Sequence, residues 1–218
     1  MTQPLREIKG RESANARPLG FGGEARWFTV STGLALWFTR AMHEAPAPSK
    51  IRVVGLQDIH LDPVLEIEQL CKAQHHHHGV TEAALPVRSL RDIAQLPRKH
   101  NVRVAEADEH IAGYGAWRDE EPGVGYIEEL AVHPDYQEHP VGSAILDKIR
   151  EEARAAGIKY LAVRAWSSSP TSKDYFLTQH FLPVPADAPD EVKTWKELQS
   201  AAGPLLADGQ VLLYALVS

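Results

Sequence analysis

The stretch YIEELAVHPDYQEHPVGSAIL, residues 126–146, decides how this chain folds. Its first part, YIEELAV, is rich in apolar and β-branched residues and predicts a strand, and a polar loop follows it. Apolar residues then recur at Val141, Ile145, Ile149 and Ala153, which is the spacing of one face of a helix. The stretch therefore predicts a strand, a tight loop and a helix that opens directly from the loop.

The loop QEHPVGS, residues 137–143, has the properties of an anion site. A helix N-terminus exposes backbone N–H groups without partners and carries a partial positive charge, so it attracts phosphate. Gly142 permits a close backbone approach. Pro140 lacks an N–H, and a lost hydrogen bond to a charged group costs on the order of 1.5–3 kcal/mol. Glu138 adds a negative charge, so the sequence predicts a weakened but not abolished phosphate site.

Composition and charge exclude several classes of protein. The net charge of −6 and the pI of about 6.0 argue against nucleic-acid binding. The single cysteine, Cys71, cannot form a disulfide within the chain, which indicates a reducing compartment. The N-terminus lacks the apolar core of a signal peptide, and the apolar run 27–38 is shorter than the roughly 20 residues that span a bilayer. We expect a cytoplasmic protein that binds neither nucleic acid nor membrane.

The order of predicted elements indicates one sheet. From residue 49 to 218 the pattern predicts β-α-α-β-β-β-α-β-α-(α)-β, which is an α/β (mixed α+β) layout. Residues 1–48 are predicted to be an N-terminal extension. Its aromatic side chains, Trp27, Trp37 and Phe38, favour burial against the main domain or a second subunit, which is consistent with a homodimer.

The stretch LAVHPDYQEHPVGSAIL, followed by KYLAVRA and DYFLTQHF, resembles the GNAT superfamily of acyl-CoA-dependent N-acyltransferases. The resemblance covers roughly residues 50–218. It implies a mixed, mostly antiparallel sheet flanked by helices, with acetyl-CoA as co-substrate. It also implies direct transfer of the acetyl group to an amine acceptor, a small molecule or a protein. Pro140 stands at the first glycine of the family's loop motif, and Gly142 stands at the second.

The resemblance also implies where coenzyme A binds. The loop and the helix start would hold the pyrophosphate, and the strand before the loop would lend backbone groups to the pantetheine arm. A serine after the next strand would add a polar contact, although a serine-rich loop is equally well explained as a turn. The implied cofactor-binding residues are Leu130, Ala131, Val132, Gln137, Glu138, His139, Val141, Gly142, Ser143 and Ser169.

Two adjacent carboxylates are the candidates for the general base that deprotonates the amine. By resemblance Glu128 is the first choice, with Glu129 in reserve. Side chains alternate along a strand, so the two are expected to point to opposite faces. The alternative is that they are exposed carboxylates that keep the strand soluble.

Tyr175 is the candidate acid that protonates the departing thiolate. Relatives often carry the tyrosine one residue later, where this chain has Phe176, and His180 replaces their glycine. One helical step is about 100° of rotation, so Tyr175 can also be an ordinary residue of an amphipathic helix. These departures and Pro140 favour a rival function, a catalytically silent relative that senses acyl-CoA or serves as an interaction module.

The run HHHH, residues 75–78, and Cys71 carry groups that bind zinc or nickel. A closed metal site needs about four converging ligands, and adjacent histidines point in different directions. We therefore predict no metal site. By resemblance, the segment between the first two helices often lines the acceptor site, so a role toward the substrate stays open.

Overall fold

A computed structural model describes residues 47–85, 88–120 and 122–217. The predicted extension, residues 1–48, lies outside the described residues except for its last two. Its aromatic side chains and the homodimer that they favour therefore stay predictions, as does the boundary at residue 48.

The described residues form a mixed, mostly antiparallel sheet flanked by helices, which confirms the predicted fold class. The strand order is β1-β2-β3-β4-β5-β7-β6, and β4 with β5 is the parallel pair. The strands are β1 (Ile51–Gly55), β2 (Asn101–Ala107), β3 (His110–Glu120), β4 (Val124–Val132), β5 (Tyr160–Trp166), β6 (Leu182–Pro183) and β7 (Gln210–Leu216). The α-helices are α1 (Leu61–His77), α2 (Leu90–Gln95), α3 (Val141–Ala155), α4 (Tyr175–Thr178) and α5 (Asp190–Ala202).

Helix α3 connects the parallel pair β4 and β5 and packs on one face of the sheet. The predicted apolar stripe of α3 is fully buried in the main core. The helix approaches β3 closely because β3 has glycines there. A Cβ on Gly115 would lie 2.7 Å from Cγ2 of Ile145. The close contact fixes the position of the α3 N-terminus relative to the end of β4.

Helices α1 and α2 form a second core with the other sheet face. Val64, Ile67 and Ile93 of these helices pack with Val104 and Tyr114 of the sheet. Helix α5 covers the far part of the sheet, where Trp195 packs in a third cluster. No helix within the described residues is long and apolar enough to cross a membrane.

Two predicted helices differ from the expectation. Helix α1 begins at Leu61 behind a 3-10 turn (Asp58–His60), and it runs through His77 into the HHHH run. The helix predicted after β5 is a π-helical turn (Pro170–Asp174) followed by the short α4. Both differences arise where a tighter or wider turn adjoins a helix, a feature that apolar spacing does not reveal.

The two central strands separate halfway along β4. The parallel ladder between β4 and β5 ends at the pair Ile127–Val163. On the other side, β3 pairs with β4 through a β-bulge, because Ala116 lies opposite Glu129 whereas Trp117 lies opposite Ile127. Glu128 is the extra residue of this bulge. The second half of β4 therefore turns away from β5 and leaves an opening in the sheet.

Candidate active site

A cavity of about 410 Å³ lies where β4 and β5 separate. Its walls come from β4, the end of β5, helices α1 and α4 and the loop before α3. The volume is in the range of small-molecule sites. All three candidate catalytic residues, Glu128, Glu129 and Tyr175, line this one cavity.

The start of α3, which lines the cavity at Gly142, has free backbone donors. The Val141 N–H donates to the His139 carbonyl at 2.8 Å, and the Ala144 N–H donates to the Pro140 carbonyl at 3.0 Å. No backbone hydrogen bond among the described residues uses the N–H of Gly142 or Ser143. Two adjacent donors at a helix start form the arrangement that binds phosphate, even with Pro140 as the N-cap.

The open edge of β4 forms another wall. The three predicted strand residues, Leu130, Ala131 and Val132, line the cavity. Beyond Ile127, β4 has no strand partner on its β5 side within the described residues. Buried backbone groups need hydrogen-bond partners, so this edge is suited to an extended ligand that carries amides.

The side chains of the loop before α3 have different surroundings. Gln137 donates from Nε2 to the Val132 carbonyl at 3.1 Å and to Oε1 of Gln74 at 2.8 Å. It therefore ties the loop to β4 and α1. Glu138 and His139 line the cavity, and Glu138 is exposed.

The bulge brings both candidate bases to the same cavity, which corrects the expectation that they point to opposite faces. Glu128 is held by two guanidinium groups. Its Oε2 accepts from Nη1 of Arg118 at 2.6 Å, and its Oε1 accepts from Nη2 of Arg164 at 3.4 Å. Both oxygens of Glu128 are therefore engaged within the described residues.

Glu129 has a different environment. Its Oε2 accepts a hydrogen bond from Nη1 of Arg88 at 2.8 Å. Burial raises the pKa of the Glu129 carboxyl, Arg88 opposes the rise, and the charge of Glu68 adds to it. A carboxyl group with a raised pKa inside a cavity is the kind of group that serves as a general base.

A buried network supports Glu129, and the sequence analysis missed it. Glu68 on α1 is only 2% exposed and forms ion pairs with Lys72 and with Arg88. The hydroxyl of Tyr114 on β3 donates to Glu68 at 3.2 Å. One signal was present in the sequence, because Glu68 stands within the apolar stripe of α1 and a charge there indicates a buried role.

Tyr175 packs against the start of α3. Burial raises the pKa of its phenol to about 12, and the Ser143 side chain opposes the rise. The phenol is therefore protonated at neutral pH and able to donate a proton. Phe176, at the family's usual tyrosine position, is buried in the core, where its ring packs on Phe181.

Three predicted cofactor-binding side chains do not line the cavity within the described residues: Val141, Ser143 and Ser169. Val141 is buried in the core below α3. The hydroxyl of Ser169 lies 3.0 Å from Nδ1 of His75, while Thr171 from the same loop lines the cavity. The first histidine of the run thus joins α1 to the loop after β5.

Solved structures with the same fold match most of this chain. The chain is similar to PaiA N-acetyltransferase from Thermoplasma acidophilum, solved in complex with coenzyme A, at 11% identity and a TM-score of 0.60. The match covers 77% of this chain and 99% of that chain. It is also similar to the ribosomal-protein-S18-alanine N-acetyltransferase from Escherichia coli, at 15% identity and a TM-score of 0.53, over 78% and 95% of the two chains.

A third similar structure is N-acetylglutamate synthase from Neisseria gonorrhoeae, complexed with coenzyme A and N-acetyl-glutamate. Identity is 18% and the TM-score is 0.56, over 78% of this chain and 36% of that one. At these identities the likeness establishes the fold. No curated protein matches the sequence at a significant level.

The sequence itself matches the model of the acetyltransferase (GNAT) family over residues 61–181, more than half of the chain. The matched segment contains the bulged strand β4, the helix start of α3 and the whole of α4. This chain belongs to the acetyltransferase (GNAT) family.

Proposed function

We propose that the protein is an N-acetyltransferase that moves an acetyl group from acetyl-CoA directly to a primary amine of a small molecule or protein. One observation carries the proposal. The start of α3, which lines the cavity at Gly142 and has free N–H groups, and the open edge of β4 adjoin the same cavity, which also contains a carboxyl group with a raised pKa.

The described residues fit coenzyme A. The N–H groups of Gly142 and Ser143 are suited to the pyrophosphate, and the edge of β4 is suited to the amides of the pantetheine arm. Bound acetyl-CoA supplies an activated thioester. Residues 130–132 would orient it, and the cavity walls would exclude water from it.

We assign the proton acceptor to Glu129 rather than to Glu128, the first choice from the sequence. Both oxygens of Glu128 are bonded to guanidinium groups, whereas the described hydrogen bond to Glu129 engages only Oε2. An ammonium substrate must lose a proton before its nitrogen attacks, and Oε1 of Glu129 is the site that we propose for it.

Tyr175 is the proposed donor to the departing thiolate. Tyr175 lines the cavity, and its phenol, whose pKa burial raises to about 12, carries its proton at neutral pH. Phe176 has no proton to give. Loss of the Tyr175 hydroxyl would slow thiolate release without preventing it, since water can protonate a thiolate.

The experiment that tests the proposed function has two steps. Acetyl-CoA is titrated into the protein by calorimetry, and a panel of amines is then screened for release of free coenzyme A. We expect saturable binding and turnover with at least one amine. Binding without turnover across a broad panel would support the rival function, an acyl-CoA sensor, and absence of binding would overturn both.

A further inference from the structure

Arg88 lines the cavity and has hydrogen-bond donors that none of the described residues uses. Its hydrogen bonds among the described residues all leave from Nη1, toward Glu68 and Glu129. A guanidinium group has five N–H donors in a planar fork, so Nη2 and Nε remain for another acceptor. The side chain is 18% exposed and lines the cavity. A partly buried fork of this kind binds a carboxylate through two parallel hydrogen bonds.

Arg88 and Glu129 form a pair of opposite charges that a zwitterion complements. Their charged atoms are 2.8 Å apart. A free amino acid carries an ammonium and a carboxylate on the same carbon, so one molecule can place both groups against the pair. A simple amine would satisfy Glu129 alone, and the second cation of a polyamine would be repelled by Arg88.

The same cavity has an apolar wall formed by Ala84, Leu85 and Trp166. Trp166 is only 9% exposed and packs with Val80 and Leu85. Apolar surface that faces a cavity is stabilised when a ligand removes it from water. A ligand that meets this wall gains affinity from an apolar or aromatic group.

We propose that the amine acceptor is a free amino acid with an apolar or aromatic side chain. Its carboxylate binds the free donors of Arg88, its amino group lies at Glu129, and its side chain packs on Trp166. This inference rests on the proposed function, since it names the acceptor of that reaction.

The test compares acceptors that differ in one group, with acetyl-CoA at saturation. L-phenylalanine is compared with phenethylamine, which lacks the carboxylate, and with L-phenylalaninamide, in which a neutral amide replaces the carboxylate. Since hydrogen bonds to charged groups are strong, we expect kcat/KM for the amino acid to be higher by roughly tenfold or more. Equal or faster reaction of the two analogues without a carboxylate, of spermidine or of a peptide would overturn the inference and leave the proposed function standing.

Variants test the assigned contact. Arg88→Lys keeps the charge beside Glu68 and Glu129 but loses the fork. Any effect through Glu129 is common to both substrates, so kcat/KM should fall by roughly tenfold more for L-phenylalanine than for phenethylamine. Arg91→Lys, at an exposed position of α2, is the matched control and should change neither. An equal loss for both substrates would reduce Arg88 to a structural role and overturn the inference.

A binding measurement separates the inference from catalysis. L-phenylalanine is titrated by calorimetry into protein saturated with coenzyme A, which needs no turnover. We expect saturable binding that Trp166→Ala weakens more for phenylalanine than for glycine. If no amino acid binds, although the protein does bind acetyl-CoA in a separate titration, the inference alone is overturned. Failure of acetyl-CoA itself to bind would overturn the proposed function as well.

Discussion

The hydroxyl of Tyr175 lies 2.8 Å from the point that a Cβ on Gly142 would occupy. The glycine in the first turn of α3 is therefore required by its contact with Tyr175 of α4. This contact places the phenol of the candidate acid beside the free N–H groups of the helix start. The π-helical turn before α4 carries Tyr175 to this position.

Replacing Gly142 by alanine should destabilise the fold. The added methyl group would force Tyr175 or α3 to move, and overpacking of this kind costs about 1–3 kcal/mol. Urea unfolding measures the change in the free energy of unfolding. Gly55→Ala is the control, because a Cβ there meets its nearest atom at 3.7 Å. Equal stability of Gly142→Ala and the parent protein would show that the contact is not tight.

Replacing the two candidate bases one at a time should lower kcat by unequal factors. Glu129→Gln should lower kcat by roughly 10²–10⁴, because general base catalysis contributes about that factor. Glu128→Gln should lower it much less, and both variants should retain affinity for acetyl-CoA. Steady-state kinetics with one amine acceptor provide the measurement. The reverse order of the two losses would return the role of base to Glu128.

The pH dependence of kcat/KM should change when the charged neighbours of Glu129 are replaced. Activity needs the ionised form of Glu129, so the rate falls as pH drops through its pKa, which burial raises above its ordinary value. Arg88 lowers this pKa, so Arg88→Gln should move the acidic limb to higher pH. Glu68 raises it, so Glu68→Gln should move the limb to lower pH. The same acceptor is used throughout, which keeps the ionisation of the amine constant.

Shifts of the acidic limb in the same direction for both variants would contradict this assignment. A circular dichroism spectrum of each variant would verify that the buried network still folds. This check separates a loss of folding in a variant from an effect on the pKa of Glu129.

Local sequence signals predicted the part of the fold around α3 because these signals are strong there. The stripe from Val141 to Ala153 has helical spacing, and Gly157 ends the helix with a positive φ of 76°. The strands on either side consist of short apolar runs bounded by turns. The helical spacing identifies α3, and the bounding turns together with the β-branched residues identify the strands.

The arrangement of the site depends on features that lie beyond local pattern. A single extra residue in β4 changes the direction of Glu128, and no residue type marks a bulge in advance. The network around Glu129 joins Glu68 from α1, Arg88 from the segment before α2 and Tyr114 from β3. Contacts among distant segments require the tertiary structure, which is why Arg88 was missed.

Restoring the missing donor at position 140 should strengthen binding of coenzyme A. Pro140→Ala and Pro140→Gly both add an N–H beside those of Gly142 and Ser143. Because a hydrogen bond to a charged group is strong, we expect the Kd to fall by roughly tenfold. Pro134→Ala is the control for loss of a proline in the same loop. Calorimetry that finds no tighter binding would show that position 140 does not meet the pyrophosphate.

The most direct measurement follows the backbone amides at the start of α3 by NMR while coenzyme A is titrated. We predict large, saturable shifts of the Gly142 and Ser143 amide resonances, with much smaller shifts at the far end of α3. Amide resonances at this helix start that stay unchanged at saturating coenzyme A would contradict the proposed site.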